Sequence, residues 1–219
     1  MQQGYSIPAE TPPSNNGQEP VVASKKRREG WKSVVSTLAI LIAAPITALL
    51  LTTYVFQSYE VDGPSMETTL QNKNRLIVWK LPRSVARLTH KPITPARGEV
   101  VIFIKRGLFG LSGEEKQLIK RVVGLPGDRV VVRDGKITIY NDAHPDGFNP
   151  DINNTYSHGI NTYTNGSVDL VVPKNEYFVC GDNRTNSLDS RVFGTIPAND
   201  IVGELAFRIL PVDKFQTFL

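Results

Sequence analysis

A serine and a lysine in this sequence have settings that suit nucleophilic catalysis. Ser65 directly follows Gly63-Pro64, a pair that fixes the local backbone. A serine hydroxyl is a weak nucleophile until a neighbouring base takes its proton, and a lysine can be that base only when neutral. Burial lowers a lysine pKa from about 10.4 by roughly 3–5 units. Lys120 stands in an apolar stretch, where an extended strand would place it on one face with Leu118 and Val122. The alternative is a strand-end lysine whose ammonium group reaches water.

Other catalytic chemistries find little support in the sequence. His90, His144 and His158 all lie outside rigid apolar segments, which argues against a Ser-His-Asp triad. The sequence has no glycine-rich phosphate loop and no Cys-x-x-Cys pair. Residues 141–166 combine two of the histidines with several aspartates, but without EF-hand or zinc spacing. We therefore expect a solvated surface loop there, and neither a metal nor another cofactor.

A third stretch, GDNRTNSLDSR at residues 181–191, is polar and turn-forming. One interpretation is a hydrogen-bonded loop with no further role. The other is a loop that walls an active site and supplies a hydroxyl group to orient a neighbouring side chain.

A membrane span accounts for the basic character of the N-terminal part. The chain has 219 residues and a net charge of +4, and residues 25–28 are all Lys or Arg. Val34–Phe56 then carries no charge over 23 residues, roughly 34 Å of helix against a hydrocarbon core of about 30 Å. The positive-inside rule predicts a disordered cytoplasmic tail over 1–32, a transmembrane helix over 33–56 and an extracytoplasmic domain over 57–219, anchored in the cell membrane. The length and position of the span argue against a cleaved signal peptide.

The outer domain is predicted to be mostly β. Short apolar runs alternate with turn residues, and Asp134-Gly135 is the preferred pair for a type I′ hairpin turn. We expect antiparallel folded sheets or a barrel-like domain, with one short helix at Ser84–Thr89. The only cysteine is Cys180, so the chain has no internal disulfide and the domain depends on its own core. The predicted strands are 99–104, 117–123, 129–133, 136–140, 168–172, 176–180 and 201–210.

Taken in order, these segments resemble the bacterial type I signal peptidases, the leader peptidase family of Ser-Lys dyad proteases. The resemblance rests on GPSMETTL (63–70) after the apolar run, RGEVVIF (97–103), KRVVGLPGD (120–128) and GDNRTNSLDSR. It implies that Ser65 is the nucleophile and that Lys120 is the general base, which later activates the hydrolytic water.

The same resemblance assigns supporting roles. It implies that the Ser187 hydroxyl orients the lysine amine and that Arg121 is the family's arginine beside the base. It implies that Met66 contributes to substrate binding, whereas the residue taken by itself indicates core packing. The residues expected to hold the active-site loop, through ion pairing, are Asp182, Asp189 and Arg191.

The oxyanion hole is the point where the sequence departs from part of the family. The backbone N–H of Ser65 is the natural first donor to a tetrahedral oxyanion. Some members supply the second donor from a hydroxyl two residues earlier, where this chain has Gly63. We therefore expect a backbone N–H, at Gly63, as the second donor.

The resemblance also implies the substrates and partners. These are exported preproteins with signal peptides, cut after small residues of the Ala-x-Ala type, together with the lipid bilayer and the protein-translocation machinery. Nucleic acid is not expected. A bound peptide would add as a strand at a sheet edge.

Two competing hypotheses remain open from the sequence. One is a self-cleaving, repressor-like Ser-Lys protease, which would need a DNA-binding domain larger than residues 1–32. The other is a membrane-tethered β domain that binds peptides or cell-wall polymers without catalysis, and that would not need both Ser65 and Lys120.

Overall fold

The computed structural model describes residues 22–108, 115–152, 160 and 163–218, with side chains from Trp31 onward. The chain forms two compact units, one ending at Thr47 and the other comprising Ala48–Leu219. Helix α1 runs over Val22–Leu50 and continues as a π-helical turn at Leu51–Val55. Within it, Trp31–Val55 has a mean hydropathy of 2.5 and is long and apolar enough to cross a membrane.

The start of α1 corrects part of the predicted tail. The helix begins at Val22, so the basic block of residues 25–28 is helical rather than disordered. Lysine and arginine are good helix formers, which allows the helix to extend upstream of the apolar run. The prediction for residues 1–21 lies outside the described residues.

Two antiparallel sheets make up most of the second unit, as predicted from the sequence. Every predicted strand is present, with ends within two residues of the prediction, and the predicted helix is α2 (Leu81–Thr89). A short helix, α3 (Ser190–Phe193), follows the ninth strand. The first sheet has the order β1 (Phe56–Glu60), β2 (Arg75–Trp79), β11 (Ile201–Leu210), β3 (Val100–Arg106), β4 (Glu115–Gly124), β9 (Glu176–Cys180) and β10 (Ile196–Pro197), with β12 (Gln216–Thr217) on β11; the second has the order β7 (His144–Phe148), β6 (Lys136–Asn141), β5 (Arg129–Arg133) and β8 (Val168–Val171).

The turn between β5 and β6 has the predicted geometry. Asp134 and Gly135 have φ values of 52° and 74°, the left-handed conformation that both central residues of a type I′ turn require. This turn fixes the register, which pairs Arg133 with Lys136 and Val132 with Ile137. Every second residue along these two strands, a valine or an isoleucine, therefore packs into one buried cluster.

Strand β4 is the central positioning element of the second unit. Its second half is buried, because Val122 packs into a cluster with Val101 and Phe103, whereas Val123 packs into the cluster of the second sheet. A separate cluster beside β2 contains Met66 and Leu70. The segment after β1 and the end of β4 are thus both held by core packing.

The described parts of residues 141–166 are not only the solvated surface loop that we predicted. The start of this segment forms β7, paired with β6, and the side chains of Asp151 and Thr164 are buried. A strand partner and a buried charge partner hold this polar segment to the domain, and neither is visible in its local sequence. His158 lies outside the described residues.

Candidate active site

Ser65 and Lys120 meet in the folded chain. The Lys120 Nζ atom lies 2.7 Å from Ser65 Oγ, and it also donates a hydrogen bond of 2.9 Å to the carbonyl oxygen of Ile119. Lys120 is only 3% exposed. The pair has the geometry of a nucleophile in direct contact with its base.

Backbone geometry and core packing hold the serine in place. Gly63 has φ = +99°, a conformation that favours glycine, and the ring of Pro64 fixes its own φ directly before Ser65. The turn closes through Glu67 N–H to the Pro64 carbonyl at 3.1 Å, and Met66 beyond it is completely buried. The Ser65 carbonyl accepts a hydrogen bond of 3.1 Å from the backbone N–H of Asn183, which ties this turn to the 181–191 loop.

The lysine is held by its strand, and burial makes it a better base. Lys120 lies opposite Val101 of β3 in the first sheet. Burial lowers the pKa of Lys120 from 10.5 to about 8. The carboxylates of Asp189 and Asp182 act to raise this pKa, but their effect is smaller than that of burial, and Arg191 lowers the pKa further. A substantial fraction of the amine is therefore neutral in mildly alkaline solution.

Three arginine–aspartate pairs brace the surroundings of this amine. Arg121 contacts both carboxylate oxygens of Asp182, at 2.8 and 2.6 Å, and also donates to the Gly98 carbonyl. Arg191 contacts both oxygens of Asp189, at 2.8 and 2.7 Å. The Asp189 carboxylate also accepts from the Gly181 N–H at 3.0 Å, so this pair fixes both ends of the loop.

The third pair was missed by the sequence reasoning. Arg184 and Asp151 form an ion pair in which both side chains are completely buried, with Arg184 Nη2 at 2.6 Å from Asp151 Oδ1. Arg184 also donates to Thr164 Oγ1 at 3.1 Å and to the Gly181 carbonyl at 3.0 Å. The motif GDNR contained Arg184, but nothing in the sequence pointed to its partner across the chain.

Ser187 lies close to the dyad without the predicted hydrogen bond to Lys120. Its Oγ atom is buried and has no hydrogen-bond partner among the residues that the structure describes. It lies against Gly181, where an added Cβ atom would be 2.2 Å from this oxygen and 2.4 Å from the Ser65 carbonyl oxygen. The lysine amine is oriented instead by Ser65 and the Ile119 carbonyl.

Two further expectations are corrected by the geometry. The Gly63 N–H donates to Asn72 Oδ1 at 3.1 Å, so it is already engaged and does not offer a second oxyanion donor in this structure. Met66 is 0% exposed, within a core cluster that includes Leu70 and Leu76, so it does not reach a substrate cleft. Its role here is to anchor the turn that carries Ser65.

A small cleft opens beside the dyad. Its volume is about 130 Å³, and it lies between the end of β1 with the residues that follow and the first half of β4. Tyr59 and Leu76 line it together with residues 116–120. Strand β9 pairs with β4 only from Arg121 onward. Among the described strands, the first half of β4 therefore pairs with β3 on one side and with no strand on the other. An open strand edge therefore borders the cleft.

Comparisons with known proteins identify the family of this chain. The family model described as "Signal peptidase, peptidase S26" matches residues 31–210. The chain is 31% identical over 184 residues to the probable signal peptidase I-2 of Synechocystis sp., covering 84% of this chain and 75% of the relative. It is 30% identical over 203 residues to signal peptidase I P of Bacillus subtilis subsp. natto, covering 87% and 97%. A crystal structure of a signal peptidase I from Enterococcus faecalis V583 shares 27% identity, with a TM-score of 0.33 over 51% of this chain and 97% of that one.

The fold and the family match define a peptidase with an N-terminal apolar helix that fits membrane anchoring. The chain belongs to the signal peptidase family, peptidase S26. The family resemblance inferred from the motifs is thereby confirmed.

Proposed function

We propose that this chain removes N-terminal signal peptides from exported preproteins, with Ser65 as the nucleophile and Lys120 as the general base. The observation that carries this proposal is the 2.7 Å contact between Lys120 Nζ and Ser65 Oγ, made by a lysine that is almost fully buried. The family match supplies the class of reaction, and the contact supports these two residues as its agents.

The reaction proceeds through an acyl-enzyme. Ser65 Oγ attacks the scissile carbonyl carbon while its proton passes to the neutral Lys120 amine. The C–N bond then breaks, and Lys120 returns the proton to the departing amine. Water attacks the resulting Ser65 ester, with Lys120 again as the base, and the carboxylate product leaves with the serine restored. The Ser65 backbone N–H is the first oxyanion donor, and it makes no hydrogen bond within the described part of the chain.

The cleft supports a preference for small side chains. Its volume of about 130 Å³ suits alanine-sized groups at the two subsites of an Ala-x-Ala sequence. The open edge of β4 beside it would accept an extended peptide as an additional strand, with main-chain hydrogen bonds setting the register. A bound peptide would then present alternate side chains to the same wall of the cleft.

For the arrangement at the membrane, we propose a cytoplasmic segment 1–32, a span over 33–56 and an extracytoplasmic catalytic domain 57–219 in the plasma membrane. The apolar stretch Trp31–Val55 and the basic residues before it support this orientation. The partners in this arrangement are preproteins, the lipid bilayer and the protein-translocation machinery.

Cleavage of one preprotein with an Ala-x-Ala site tests the proposal. Detergent-solubilised wild type should cut after the −1 alanine, as read by mass spectrometry, and Ser65→Ala and Lys120→Ala should each abolish the cut. Ser58→Ala, at an exposed serine of β1, and Lys136→Ala, at an exposed lysine of the second sheet, are the matched controls and should cut normally. Cleavage that survives in either dyad variant would show that the nucleophile or the base has been misassigned.

A further inference from the structure

Part of the segment at residues 141–166 reaches the catalytic loop, although the proposed mechanism gives this segment no role. Asp151 is only 3% exposed, and its ion pair joins it to Arg184 in the 181–191 loop. The same guanidinium donates through Nη1 to Thr164 Oγ1 at 3.1 Å. Two separate points of the segment therefore meet on one buried arginine.

A second arginine ties the loop to the same segment. Arg191 Nη1 donates to the Asn165 carbonyl oxygen at 3.0 Å and to the Arg184 carbonyl oxygen at 2.7 Å. Asn165 directly follows Thr164 in the chain. The loop is thus held at both of its arginines by three residues, Asp151, Thr164 and Asn165, which we call the loop clamp.

The second sheet supports the loop clamp. The Thr164 N–H donates to the Gly135 carbonyl at 2.8 Å, in the turn between β5 and β6. Shortly before Asp151, Phe148 of β7 packs against the buried cluster of that sheet. The Asp151 N–H donates to Asn149 Oδ1 at 2.8 Å. The loop clamp therefore rests on a packed sheet, and not only on the loop that it holds.

On its other side, the loop touches the turn that carries the nucleophile. Asn183 donates its backbone N–H to the Ser65 carbonyl at 3.1 Å and its side-chain Nδ2 to the Pro64 carbonyl at 3.2 Å. The next residue, Arg184, donates through Nε to the Gly181 carbonyl at 3.0 Å. Gly181 packs directly against the Ser65 carbonyl oxygen. Polar contacts thus connect the loop clamp, through Arg184 and its neighbours, to Ser65.

An ion pair offers this position something that apolar packing does not. Desolvation of two buried charges offsets much of their attraction, so apolar side chains of similar volume often give a fold of equal or greater stability. Apolar contacts, however, do not fix direction. Two contacts from one guanidinium to one carboxylate set the plane of Arg184, and this orientation directs its Nε to the Gly181 carbonyl.

We propose that Asp151 is a positioning residue for the dyad of Ser65 and Lys120. Through Arg184 it holds the 181–191 loop against the turn that carries Ser65, which keeps the serine hydroxyl within hydrogen-bond reach of the lysine amine. This inference rests on the proposed function of the dyad. It gives the segment at residues 141–166 a part in catalysis, because a displacement of about 1 Å at a reacting group can lower a rate about 100-fold.

A double variant separates positioning from stability. Asp151→Leu with Arg184→Met removes both charges and refills the space, so the fold should keep most of its stability while the loop loses its directed contact. We expect kcat for a short Ala-x-Ala peptide to fall about 100-fold. KM should change little, because the described residues that line the cleft do not include those of the loop clamp. Rates are measured on the full chain in detergent and corrected for the folded fraction, which near-ultraviolet circular dichroism reports.

The matched control is the same exchange at the exposed pair of the second sheet. Asp169→Leu with Arg129→Met should leave kcat unchanged. Wild-type kcat in the double variant of the buried pair would overturn the proposal, and so would an equal loss of kcat in the control.

A milder variant covers the case in which the double variant does not fold. Thr164→Val keeps the ion pair and removes only the hydroxyl that accepts from Arg184. It should lower kcat severalfold with KM unchanged, because the guanidinium loses one of the contacts that orient it. Wild-type kcat in Thr164→Val would count against the loop clamp.

Hydrogen exchange tests the loop clamp without relying on activity. The Asn183 N–H, which donates to the Ser65 carbonyl, should exchange about tenfold faster in the double variant. The Val132 N–H in β5 of the second sheet should exchange as in wild type. Unchanged exchange at Asn183 would contradict the positioning role, and equal acceleration at both residues would indicate a general loss of stability and overturn it. Absence of peptide cleavage by the wild type would instead contradict the proposed function and leave the exchange result standing.

Discussion

Removing one partner of the buried pair of Arg184 and Asp151 should cost several kcal/mol of stability, and a double-mutant cycle can measure the coupling between the two side chains. Both side chains are completely buried, and two nitrogens of the guanidinium contact the two carboxylate oxygens. Removing one partner leaves an uncompensated charge in the interior, which costs about 3–5 kcal/mol. For a chain of this size, each kcal/mol lowers the melting temperature by roughly 2–4 °C, so Asp151→Leu or Arg184→Met should lower it by roughly 6–20 °C.

The double variant should behave differently from the sum of the single variants. Asp151→Leu with Arg184→Met removes both charges and fills the space with apolar groups, which is often close to neutral for stability. The cycle should therefore give a coupling energy of about 3 kcal/mol or more. Denaturant unfolding of the detergent-solubilised full chain, followed by near-ultraviolet circular dichroism, provides the four free energies.

The chain contains a matched control for this cycle. Arg129 and Asp169 form an equally close two-contact pair, at 2.8 and 2.6 Å, but their side chains are 53% and 43% exposed. Asp169→Leu should change stability by at most about 1 kcal/mol. A loss below about 1 kcal/mol for Asp151→Leu, or additive losses in the double variant, would refute the argument that burial makes the Arg184 pair strong.

Three further predictions concern titration and packing. The kcat/KM for a short peptide should rise about tenfold per pH unit up to about pH 8 and then level off. The reason is that burial lowers the pKa of Lys120 and only its neutral amine is a base. A flat profile between about pH 6 and 9 would exclude Lys120 as the base. Burial, with a smaller contribution from Glu99, raises the pKa of Glu204 from 4.5 to about 7, so the fold loses stability as pH rises from about 4.5 to about 7. Glu204→Gln should therefore be about 1 kcal/mol more stable than wild type at pH 9 but not at pH 5, a figure that allows for the partial exposure of the side chain. Thermal unfolding that shows the same difference between variant and wild type at both pH values would contradict this reasoning. Gly181→Ala should abolish peptide cleavage, since the new Cβ would lie 2.4 Å from the Ser65 carbonyl oxygen; a variant with wild-type kcat would show that the 181–191 loop moves freely away from the serine.

The strands that could be predicted from the sequence are those with strong local signals. The run EVVIFI and the Asp134-Gly135 hairpin specify β3, β5 and β6 through apolar content and turn chemistry. Strand β1 was missed because it continues directly from the apolar span. Strand β7 contains Pro145 and Gly147, both poor strand formers, and exists because β6 offers it an edge to pair with.

The same distinction applies to the site. Ser65 and Lys120 could be proposed from the sequence because each has a distinctive local setting, a fixed turn and an apolar strand, and because the ordered motifs resemble those of a known family. Asp151 could not, because a lone aspartate in a polar stretch is typical of an exposed loop, and its partner is 33 residues away. The engagement of the Gly63 N–H depends on a backbone angle that brings it to Asn72, and residue types alone do not specify that angle.

Two of the arginine–aspartate pairs have a consequence for the pH at which this site works. Arg121 and Arg191 each have their own carboxylate, Asp182 and Asp189, so these two pairs contribute no net charge, and the Lys120 amine is the one cation of this group without a carboxylate partner among the described residues. A balanced surrounding leaves desolvation as the largest influence on its pKa. Loss of one arginine leaves a bare carboxylate that favours the ammonium form and moves activity to higher pH, and loss of one aspartate moves it to lower pH. Substitutions in the loop can thus adjust the working pH of the dyad without touching either of its members.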